Sequence, residues 1–503
     1  MERIGIIDIG SNSIRLVIYE ITETYAYHVI DESKESARLS ERMDESGTLK
    51  DEDLQYIVNI LKRFKRLCDI HKVRQIRAAA TAAIRNSHNG SRIAEQLTEQ
   101  TGVTVQILSG AEEGRLGFLG VMNTIDIQHG FLIDIGGGST EISLFRDRTF
   151  LHSVSFPFGA VNMMQTYGRD KGIDESAARA MIAMIEETAA QHPWIYQHPG
   201  LPMVGLGGTM RSLCNMDQRK KKYSLTLTHN YQLSDVEVDS WLTELRRLPF
   251  EQRKRVDGLS KDRADIIIPG LLILTTLFRI SGASHYIVSG AGLRDGIFYE
   301  TYRPEAPQFS DVLEHSVQNL LGLHPMVSLA HVQHVERLAL RMFAHMHGEH
   351  QLDERAGTYL RTAALLYRIG ITIHYYQYHK HTFYLVAHSR IDGLTHREIL
   401  LCAFIASFKS EKKLKQSVQL YKDVLRETDA ELITKLGSLL QVAVALDRTE
   451  TQVITDIETQ LIGKQLHLSV IACNDWHIER RELETLSKDV QDIWGVKMVL
   501  KSS

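Results

Sequence analysis

The sequence predicts a layered α/β fold in its first 300 residues, a helical region after it and a small α+β tail. Three observations support this prediction. Short apolar runs alternate with helical patterns up to about residue 300, as in proteins that stack helices on sheets. From about Asp311 to Asp447 the pattern is helical nearly throughout. A glycine-bearing segment also occurs twice, one domain apart, which predicts two similar lobes.

The apolar runs of the first region have the length and the flanking residues that are typical of strands. They are Ile4–Ile9, Val103–Leu108, Phe131–Ile135, Met203–Leu206 and Tyr286–Ser289. Between the strands, Asp51–His71 has a helical pattern. The most apolar stretch, Ile266–Phe278, is too short to span a bilayer and contains a Pro-Gly pair, so we expect a buried helix there.

A chain of 503 residues is too long for one compact core, and roughly 150 residues per domain suggests three or four domains. Two prolines within Arg303–Pro307, and the loss of strand patterns after them, mark a boundary. In the tail, Leu466–Ala472 and Val496–Leu500 are typical of strands and Glu482–Ile493 of a helix. We therefore predict two lobes at 1–125 and 126–305, a helical domain at 306–450 and a small α+β domain at 451–503.

The composition is that of an ordinary globular protein, with 43% hydrophobic and 24% charged residues. A net charge of −4 does not predict nucleic-acid binding, so a site for any other polyanion must be a local basic patch. The four cysteines are far apart in sequence, which argues against a disulfide framework or a cysteine metal site. Because neither a signal peptide nor a membrane span is evident, we expect a cytoplasmic protein.

The duplicated segment is a strand followed by a glycine-bearing turn. Ile6–Ser13 (IIDIGSNS) recurs as Leu132–Ser139 (LIDIGGGS), and both copies continue into apolar strands. Each copy is therefore predicted to form a β-hairpin. Two such hairpins, one in each lobe, predict a cleft with one glycine-bearing loop on either side.

Loops of this kind are suited to phosphate groups. Turns without bulky side chains let successive backbone N–H groups approach anionic oxygens closely. The candidate phosphate-binding residues of the two loops are Ser11, Asn12, Ser13, Gly136, Gly137, Gly138 and Ser139. One such loop alone would indicate only a β-hairpin, whereas two copies that each follow an aspartate favour a site that holds a run of phosphates.

Carboxylates beside the loops indicate a divalent metal. Asp8 and Asp134 stand at the loop mouths, and Glu141 lies on the strand that returns from the second loop. Mg²⁺ binds through one or two carboxylates together with phosphate and water, so we expect Mg²⁺ (or Mn²⁺) at Asp134, Glu141 and Asp8. A monovalent cation such as K⁺ is a candidate second ion. The alternative for Glu141 is an ordinary solvent-facing strand residue.

A third element, Leu108–Arg115 (LSGAEEGR), follows a strand and opens a helix. A carboxylate at this position can deprotonate a water aimed at phosphorus. Glu112 and Glu113 project about 100° apart on a helix, so only one of them can face the cleft, and their spacing does not decide which. The alternative is that both merely complement the helix dipole.

Further phosphate donors are expected in two other segments. Arg85 follows the strand-like segment Val73–Ala78 and can hold a phosphate bidentately, although a surface salt bridge is the alternative. Gly207, Gly208 and Thr209 form a strand-to-helix turn at the second lobe's end of the cleft. Glycines at such turns also serve close packing of helix against strand.

Taken in order, these motifs resemble the exopolyphosphatase/guanosine pentaphosphate phosphatase family, whose fold belongs to the acetate and sugar kinase, heat-shock and actin (ASKHA) superfamily. The segments that carry the resemblance are DIGSNSIR at 8–15, ATAAIR at 80–85, SGAEEGR at 109–115, DIGGGSTE at 134–141, GLGGT at 205–209, RADIIIPG at 263–270 and SGAGLRDG at 289–296. The resemblance implies a duplicated actin-like, ribonuclease H-like two-lobed core.

The resemblance also implies an activity: release of terminal orthophosphate from inorganic polyphosphate, or of the 5′ γ-phosphate from guanosine pentaphosphate (pppGpp). It implies that Glu113 is the catalytic carboxylate, that Asp134 and Glu141 are the acidic pair, and that Arg85 contacts phosphate. A homodimer is expected on the same ground. One departure is Asn162, where many relatives have an arginine, so phosphate affinity or chain-length preference is expected to differ.

The helical region resembles the HD-hydrolase-like module of the longer family members. His334 matches its first histidine and Asp447 its last aspartate, whereas Tyr367 and Arg368 replace its central His-Asp pair. Because an arginine would repel a cation, we predict no metal-dependent hydrolase activity there. The cluster at His379–His381 is expected at a surface or along a polyanion path rather than in a metal site.

Basic residues outside the cleft provide a candidate path for a long polyanion, although lysine runs are also common on solvated helices. The residues of this path are Arg263, Lys412, Lys413 and Lys415. They favour polyphosphate over a compact nucleotide, so exopolyphosphatase is the leading hypothesis. The alternatives are pppGpp hydrolysis, a kinase-like ATPase, and a non-catalytic sensor of polyphosphate or alarmone.

Overall fold

The computed structural model describes residues 1–43, 47–346 and 352–502, and it divides into two compact units. The first unit consists of Met1–Lys222 and Thr228–Val312, and the second of Tyr223–Leu227 and Leu313 onward. The division after Val312 lies a few residues beyond the predicted boundary. The inclusion of Tyr223–Leu227 in the second unit is a feature that the sequence patterns did not predict.

The first unit contains two sheets with the same topology. The strands of the first sheet are β1 (Glu2–Ile9), β2 (Ile14–Ile21), β3 (Tyr27–Glu35), β4 (Gln75–Ala80) and β5 (Val105–Ile107). The strands of the second sheet are β6 (Gly130–Ile135), β7 (Thr140–Arg146), β8 (Thr149–Phe156), β9 (Met203–Leu206), β10 (Tyr231–Leu233) and β11 (Tyr286–Val288). All five predicted strand runs fall within these strands or overlap them.

The two strand orders show the duplication directly. The first sheet has the order β3-β2-β1-β4-β5 and the second β10-β11-β9-β6-β7-β8. In each sheet three consecutive strands form an antiparallel meander. A later strand pairs in parallel with the first strand of the meander, and a further strand pairs in parallel with that one. The second sheet adds β10 as an antiparallel edge strand. This is the predicted duplicated, two-lobed, actin-like core.

Helices cover the faces of both sheets. They are α1 (Leu39–Arg42), α2 (Asp51–Ile70), α3 (Ala82–Arg85), α4 (Gly90–Thr101), α5 (Gly110–Met122), α6 (Ala160–Tyr167), α7 (Glu175–Ala190), α8 (Gly207–Lys221), α9 (Asp235–Arg247), α10 (Phe250–Arg253), α11 (Ile267–Ser281) and α12 (Leu293–Tyr302). Helix α11 is buried along most of its length, as its apolar sequence predicts. Within the residues that the structure describes, no helix has the length and apolar composition needed to cross a bilayer.

Helix α5 lies between the two sheets and packs against both. Leu116 and Leu119 join the apolar cluster on the first sheet. Phe118 and Val121 join the cluster on the second sheet. A helix that is apolar on two sides is expected where both sides are covered. Since both lobes hold α5, they also fix the position of its N-terminal glutamates.

The second unit consists of helices and one small sheet around a common core. Its helices are α13 (Val312–Gly322), α14 (Leu329–His345), α15 (Glu354–Leu366), α16 (Tyr378–His388), α17 (His396–Ala406), α18 (Glu411–Val418), α19 (Asp429–Leu446) and α20 (His477–Trp494). The strands β12 (Ile454–Ile462), β13 (Gln465–Ala472) and β14 (Lys497–Ser502) have the order β12-β13-β14. Apolar residues of helices and strands form one cluster, so the predicted boundary at 450 does not separate two cores.

Close packing of α5 against α12 generates a testable prediction. A Cβ on Gly120 would lie 2.3 Å from the carbonyl oxygen of Gly292, whereas one on Gly117 would meet only side-chain carbons at 3.8 Å or more. We expect Gly120→Ala to lower the free energy of unfolding by about 1–3 kcal/mol, because the two segments must move apart. The control Gly117→Ala should be neutral or stabilising by up to about 1 kcal/mol through helix propensity.

Urea unfolding of the two variants, monitored by circular dichroism, tests this expectation. Equal stabilities for the two variants would show that α5 and α12 tolerate a larger separation than their packing indicates.

Candidate active site

The glycine-bearing loops of the two hairpins meet at a cleft of about 140 Å³ between the lobes of the first unit. A Cβ on Gly137 would approach the Cβ of Ser11 to 3.1 Å, and one on Gly138 would approach its Oγ to 3.2 Å. A side chain at either position would therefore be crowded by the first loop, which lies against the second. The repeat in the sequence thus corresponds to two loops that face each other, as predicted.

Hydrogen bonds behind the second loop fix the direction of its peptide groups. The carbonyls of Gly136–Gly138 accept hydrogen bonds of 2.9–3.2 Å from the first turn of α6. The donors are the N–H groups of Ala160 and Val161 and the side-chain amide of Asn162. A trans peptide directs its N–H opposite to its C=O, so the N–H groups of residues 137–139 point away from these donors. They remain available to an anionic ligand.

The first loop is held in the same way by the segment around α1. The carbonyl of Ser11 accepts from the N–H of Ser40 at 3.2 Å, and that of Asn12 from the N–H of Arg38 at 3.0 Å. The side chain of Arg38 also donates to Asp265 of the second lobe at 2.9 Å. This ion pair connects the support of one loop to the opposite lobe.

The hairpin register places charged residues opposite each other at equivalent positions. Asp8 on β1 is paired with Arg15 on β2, whereas Asp134 on β6 is paired with Glu141 on β7. The two carboxylates of the second hairpin therefore meet across it, as predicted. Burial raises the pKa of Asp134 to about 6 and that of Glu141 to about 7. Glu141 is buried, so the solvent-facing alternative is wrong.

The structure separates the two glutamates that sequence spacing left equivalent. Glu112 Oε2 accepts hydrogen bonds from the N–H and Oγ of Ser109, both at 2.8 Å, in a capping box at the start of α5. These hydrogen bonds lower the pKa of Glu112. Glu113 lines the cleft, and burial together with the negative charge of Glu141 raises its pKa well above the ordinary value. A general base of raised pKa accepts a proton more readily.

Arg85 lies behind both acidic groups. Its Nη1 donates to Glu113 Oε2 at 2.6 Å, and its Nη2 is 3.7 Å from Glu141 Oε1. Ser155 Oγ donates to the same Glu141 oxygen at 2.6 Å. The alternative of a surface salt bridge is wrong, because the arginine side chain is only 16% exposed and its partners belong to the site. In this structure Arg85 fixes carboxylates, and its contact with phosphate stays a prediction.

Four arginines line the cleft, and this concentration of positive charge is the main feature of the site that the sequence motifs did not predict. They are Arg15, Arg211, Arg263 and Arg294, of which only Arg263 was singled out, as part of a polyanion path. Burial and the neighbouring arginines lower the pKa of Arg15 and that of Arg263 to about 10. Like charges packed together in this way are relieved by an anionic ligand. Arg15 and Arg294 lie within the quoted motifs, whereas Arg211 has no local sequence signal.

The glycines at the start of α8 make room for charged side chains. A Cβ on Gly207 would lie 2.5 Å from Asp134 Oδ1, and one on Gly208 would overlap the guanidinium of Arg263 at 1.8 Å. Both glycines line the cleft, as predicted. Thr209 does not: it is buried, and its side chain packs beside Gly270 of α11. The prediction for Thr209 is therefore wrong, because the third residue of this helix faces the core.

The carboxylates of the cleft fit a divalent cation whose coordination is completed by phosphate and water. Among the described residues, no three His, Cys, Asp or Glu side chains converge into a metal cage built by protein alone. Mg²⁺ needs only one or two carboxylates when phosphate and water complete its shell. The half-buried Asp134 and the buried Glu141 fit this requirement as paired oxygen donors, and Asn12 Oδ1 is a buried oxygen without a hydrogen-bond partner among the described residues. Asp8 instead faces Arg15, so its role as a ligand stays a prediction.

Asn162 supports the second loop. Its Oδ1 accepts from the N–H of Gly159 at 2.6 Å, and its Nδ2 donates to the carbonyls of Gly138 and Pro157 at 3.2 Å. The amide is thereby engaged with the backbone, so the expected change in phosphate affinity at this position would act through the loop.

In the region of the second unit that resembles an HD-like module, Asp447, His331 and Tyr367 form a hydrogen-bonded chain. Asp447 Oδ2 is 2.7 Å from Nδ1 of His331, whose Nε2 contacts the hydroxyl of Tyr367. The match of His334 to the first histidine needs correction, since His331, one turn earlier on α14, is the residue that bonds Asp447. Arg368 pairs with Glu450 at 2.6 Å.

The predicted basic path is distributed over both units. Arg263 lies in the cleft of the first unit, and the three lysines lie on α18 of the second. Lys415 is neutralised by Glu411 at 2.5 Å. Lys413 lines a cavity of the second unit to which Lys412 and Lys415 do not contribute. The path itself stays a prediction.

Comparison with known proteins agrees with this geometry. The sequence model of the Ppx/GppA phosphatase family matches residues 17–305, and that of Ppx/GppA phosphatase domain III matches residues 312–490. The crystal structure of an Aquifex aeolicus family member is 27% identical with a TM-score of 0.53, and the alignment covers 61% of this chain and 99% of that one. A structure of the Aquifex aeolicus PPX-GPPA enzyme is 28% identical with a TM-score of 0.51, over 59% of this chain and 98% of its own.

An exopolyphosphatase from Cytophaga hutchinsonii has the same fold, with 22% identity and a TM-score of 0.57, over 61% of this chain and all of that one. The family match covers more than half of the sequence and contains the second glycine-bearing loop, whereas the first loop lies ahead of residue 17. The chain therefore belongs to the Ppx/GppA phosphatase family.

Proposed function

We propose that this phosphatase is an exopolyphosphatase, which hydrolyses the terminal phosphoanhydride bond of inorganic polyphosphate and releases orthophosphate. The observation that carries the proposal is the position of Glu113, held by Arg85 at 2.6 Å beside the Asp134–Glu141 pair, in a cleft lined by four arginines. A base, an acidic pair and a concentration of guanidinium groups are the parts that hydrolysis of a phosphate chain requires.

The lining of the cleft favours an inorganic chain over a nucleotide. Among the described residues, the lining consists of acidic, basic, small polar, glycine and aliphatic residues, without an aromatic side chain. Backbone N–H groups and guanidinium groups contact phosphate oxygens, whereas a guanine base ordinarily stacks on an aromatic side chain. The substrate class that this composition favours is therefore a chain of phosphates.

In the proposed reaction, Glu113 accepts a proton from a water molecule whose oxygen attacks the terminal phosphorus. The P–O bond to the bridging oxygen breaks, and the electron pair stays on the shortened chain. Guanidinium groups of the cleft stabilise the negative charge on the leaving phosphate. Asp134 and Glu141 would hold Mg²⁺ (or Mn²⁺), which supplies charge neutralisation at the phosphate oxygens when bound. Arg85 orients Glu113, and Glu112 is left to cap the helix.

A parallel assay of two substrates tests this function. We expect Mg²⁺-dependent release of orthophosphate from long-chain polyphosphate, at a rate at least about tenfold above that from pppGpp, because the cleft offers no stacking surface for a base. Orthophosphate is measured with Mg²⁺ and with EDTA, in K⁺ and in Na⁺ buffers, so that the same assay tests both ions. Faster release from pppGpp would contradict the substrate assignment, and release from neither would contradict hydrolysis.

Burial of Glu141 predicts a pH dependence of stability. Its pKa is about 7 in the folded protein and near 4.5 when the chain is unfolded, so the folded state retains a proton that the unfolded state loses. The stabilising contribution of this proton is complete below pH 4.5 and is lost as the pH rises through 7. Glu141→Gln should therefore raise Tm at pH 8 in EDTA, by about 2 °C or more, and leave it nearly unchanged near pH 4.5.

Differential scanning calorimetry at the two pH values provides the measurement. Glu112→Gln is the control, and it should lower Tm at pH 8, since hydrogen bonds depress the pKa of Glu112. Added Mg²⁺ should stabilise the wild-type protein at pH 8 more than Glu141→Gln. A lower Tm of Glu141→Gln at pH 8 in EDTA would show that the ionised carboxylate stabilises the site without a metal.

A further inference from the structure

Two basic segments that are separate in sequence line one cavity in the second unit. Lys380 of α16, Lys409 between α17 and α18, and Lys413 of α18 line a cavity of about 540 Å³. Pockets for small organic ligands have volumes of roughly 300–1,000 Å³, so this cavity has the size of a small-molecule site. The function proposed for the cleft does not use it.

Aromatic rings form the wall of this cavity. The ring of Phe383 is 4.6 Å from that of Phe404 and 5.7 Å from that of Tyr421, measured between centroids. Phe404 and Phe408 are buried, whereas Phe383 and Tyr421 are half-buried and present part of their surface to the cavity. Partly exposed rings beside a cavity provide a surface on which a planar group can stack.

The positive charge around the rings has no acidic counterpart. No aspartate or glutamate lines the cavity, and among the described residues none of the three lysines forms an ion pair. Burial and the charges of Lys413 and Lys380 lower the pKa of Lys409. Burial lowers the pKa of His379 to about 4, so this residue is neutral at pH 7, and its Nδ1 lacks a hydrogen-bond partner among the described residues.

We propose that this cavity binds a nucleotide, with the base stacked on Phe383 and Tyr421 and the phosphates between Lys380, Lys409 and Lys413. An inorganic phosphate chain would use the lysines but not the rings, and an aliphatic acid would not require three ammonium groups. Aromatic stacking combined with a cluster of cations matches a ligand that carries both a planar base and several negative charges. The cleft of the first unit offers the cations without the rings.

Calorimetric titration of the full-length protein with ADP, in EDTA at fixed ionic strength, tests this proposal. We expect one ADP per chain in this cavity, and binding at least about tenfold weaker for adenosine or pyrophosphate, because each supplies only half of the interactions. Lys413→Ala and Phe383→Ala should each weaken ADP binding by about fivefold or more. Lys412→Ala is the matched control, since Lys412 is the neighbour of Lys413 on α18 and does not line the cavity.

A second control separates this cavity from the cleft. Arg211→Ala removes a cleft arginine and should leave ADP binding unchanged. Thermal unfolding verifies that each variant is folded, and Lys409→Ala replaces Phe383→Ala if the latter unfolds. Loss of ADP binding in Arg211→Ala but not in Lys413→Ala would place the nucleotide in the cleft and overturn the proposal. Pyrophosphate binding that is as tight as ADP binding and that Lys413→Ala weakens but Arg211→Ala does not, or no ADP binding at millimolar concentration, would overturn it as well.

Discussion

Acidic and basic groups lie partly or fully buried together along the cleft, and their mutual compensation is the interaction on which the first unit depends. Removing a single charge from water costs several kcal/mol unless a partner compensates it. Arg85 therefore lies between Glu113 and Glu141, and Asp8 faces Arg15 across its hairpin. Compensation is incomplete in the second hairpin, where two carboxylates face each other, and this is the place where a cation fits best.

The duplicated fold makes this arrangement possible because it delivers two equivalent hairpins to one cleft. The copies differ in charge at the register position opposite the aspartate, which is Arg15 in the first lobe and Glu141 in the second. One lobe thus contributes a guanidinium group and the other an acidic pair. Helix α5, packed between both sheets, carries Glu113 to the boundary between them. The base is positioned by both lobes, and a change in their separation would move it.

Features encoded in short segments could be predicted from the sequence, whereas those that depend on tertiary contacts could not. The two hairpins follow from local glycine and strand patterns, and their register brings Asp134 to Glu141. Helical spacing did not choose between the two glutamates; the family resemblance implied Glu113, and the capping contact between Ser109 and Glu112 gives the physical reason. Arg211 is an arginine on a helix, like many others, and only the fold brings it into the cleft. His331 and His334 lie on one helical face, so sequence spacing alone did not identify the partner of Asp447.

The role of Glu113 is the central claim, and steady-state kinetics of two matched variants tests it most directly. Orthophosphate release from polyphosphate is measured for Glu113→Gln and Glu112→Gln at saturating Mg²⁺. General-base catalysis predicts that Glu113→Gln lowers kcat by about 10²–10⁴-fold with little change in KM. Glu112→Gln should retain kcat and lower stability only slightly, because a glutamine at this position also completes a capping box. A Glu113→Gln enzyme with kcat within about threefold of wild type would contradict the assignment of the base.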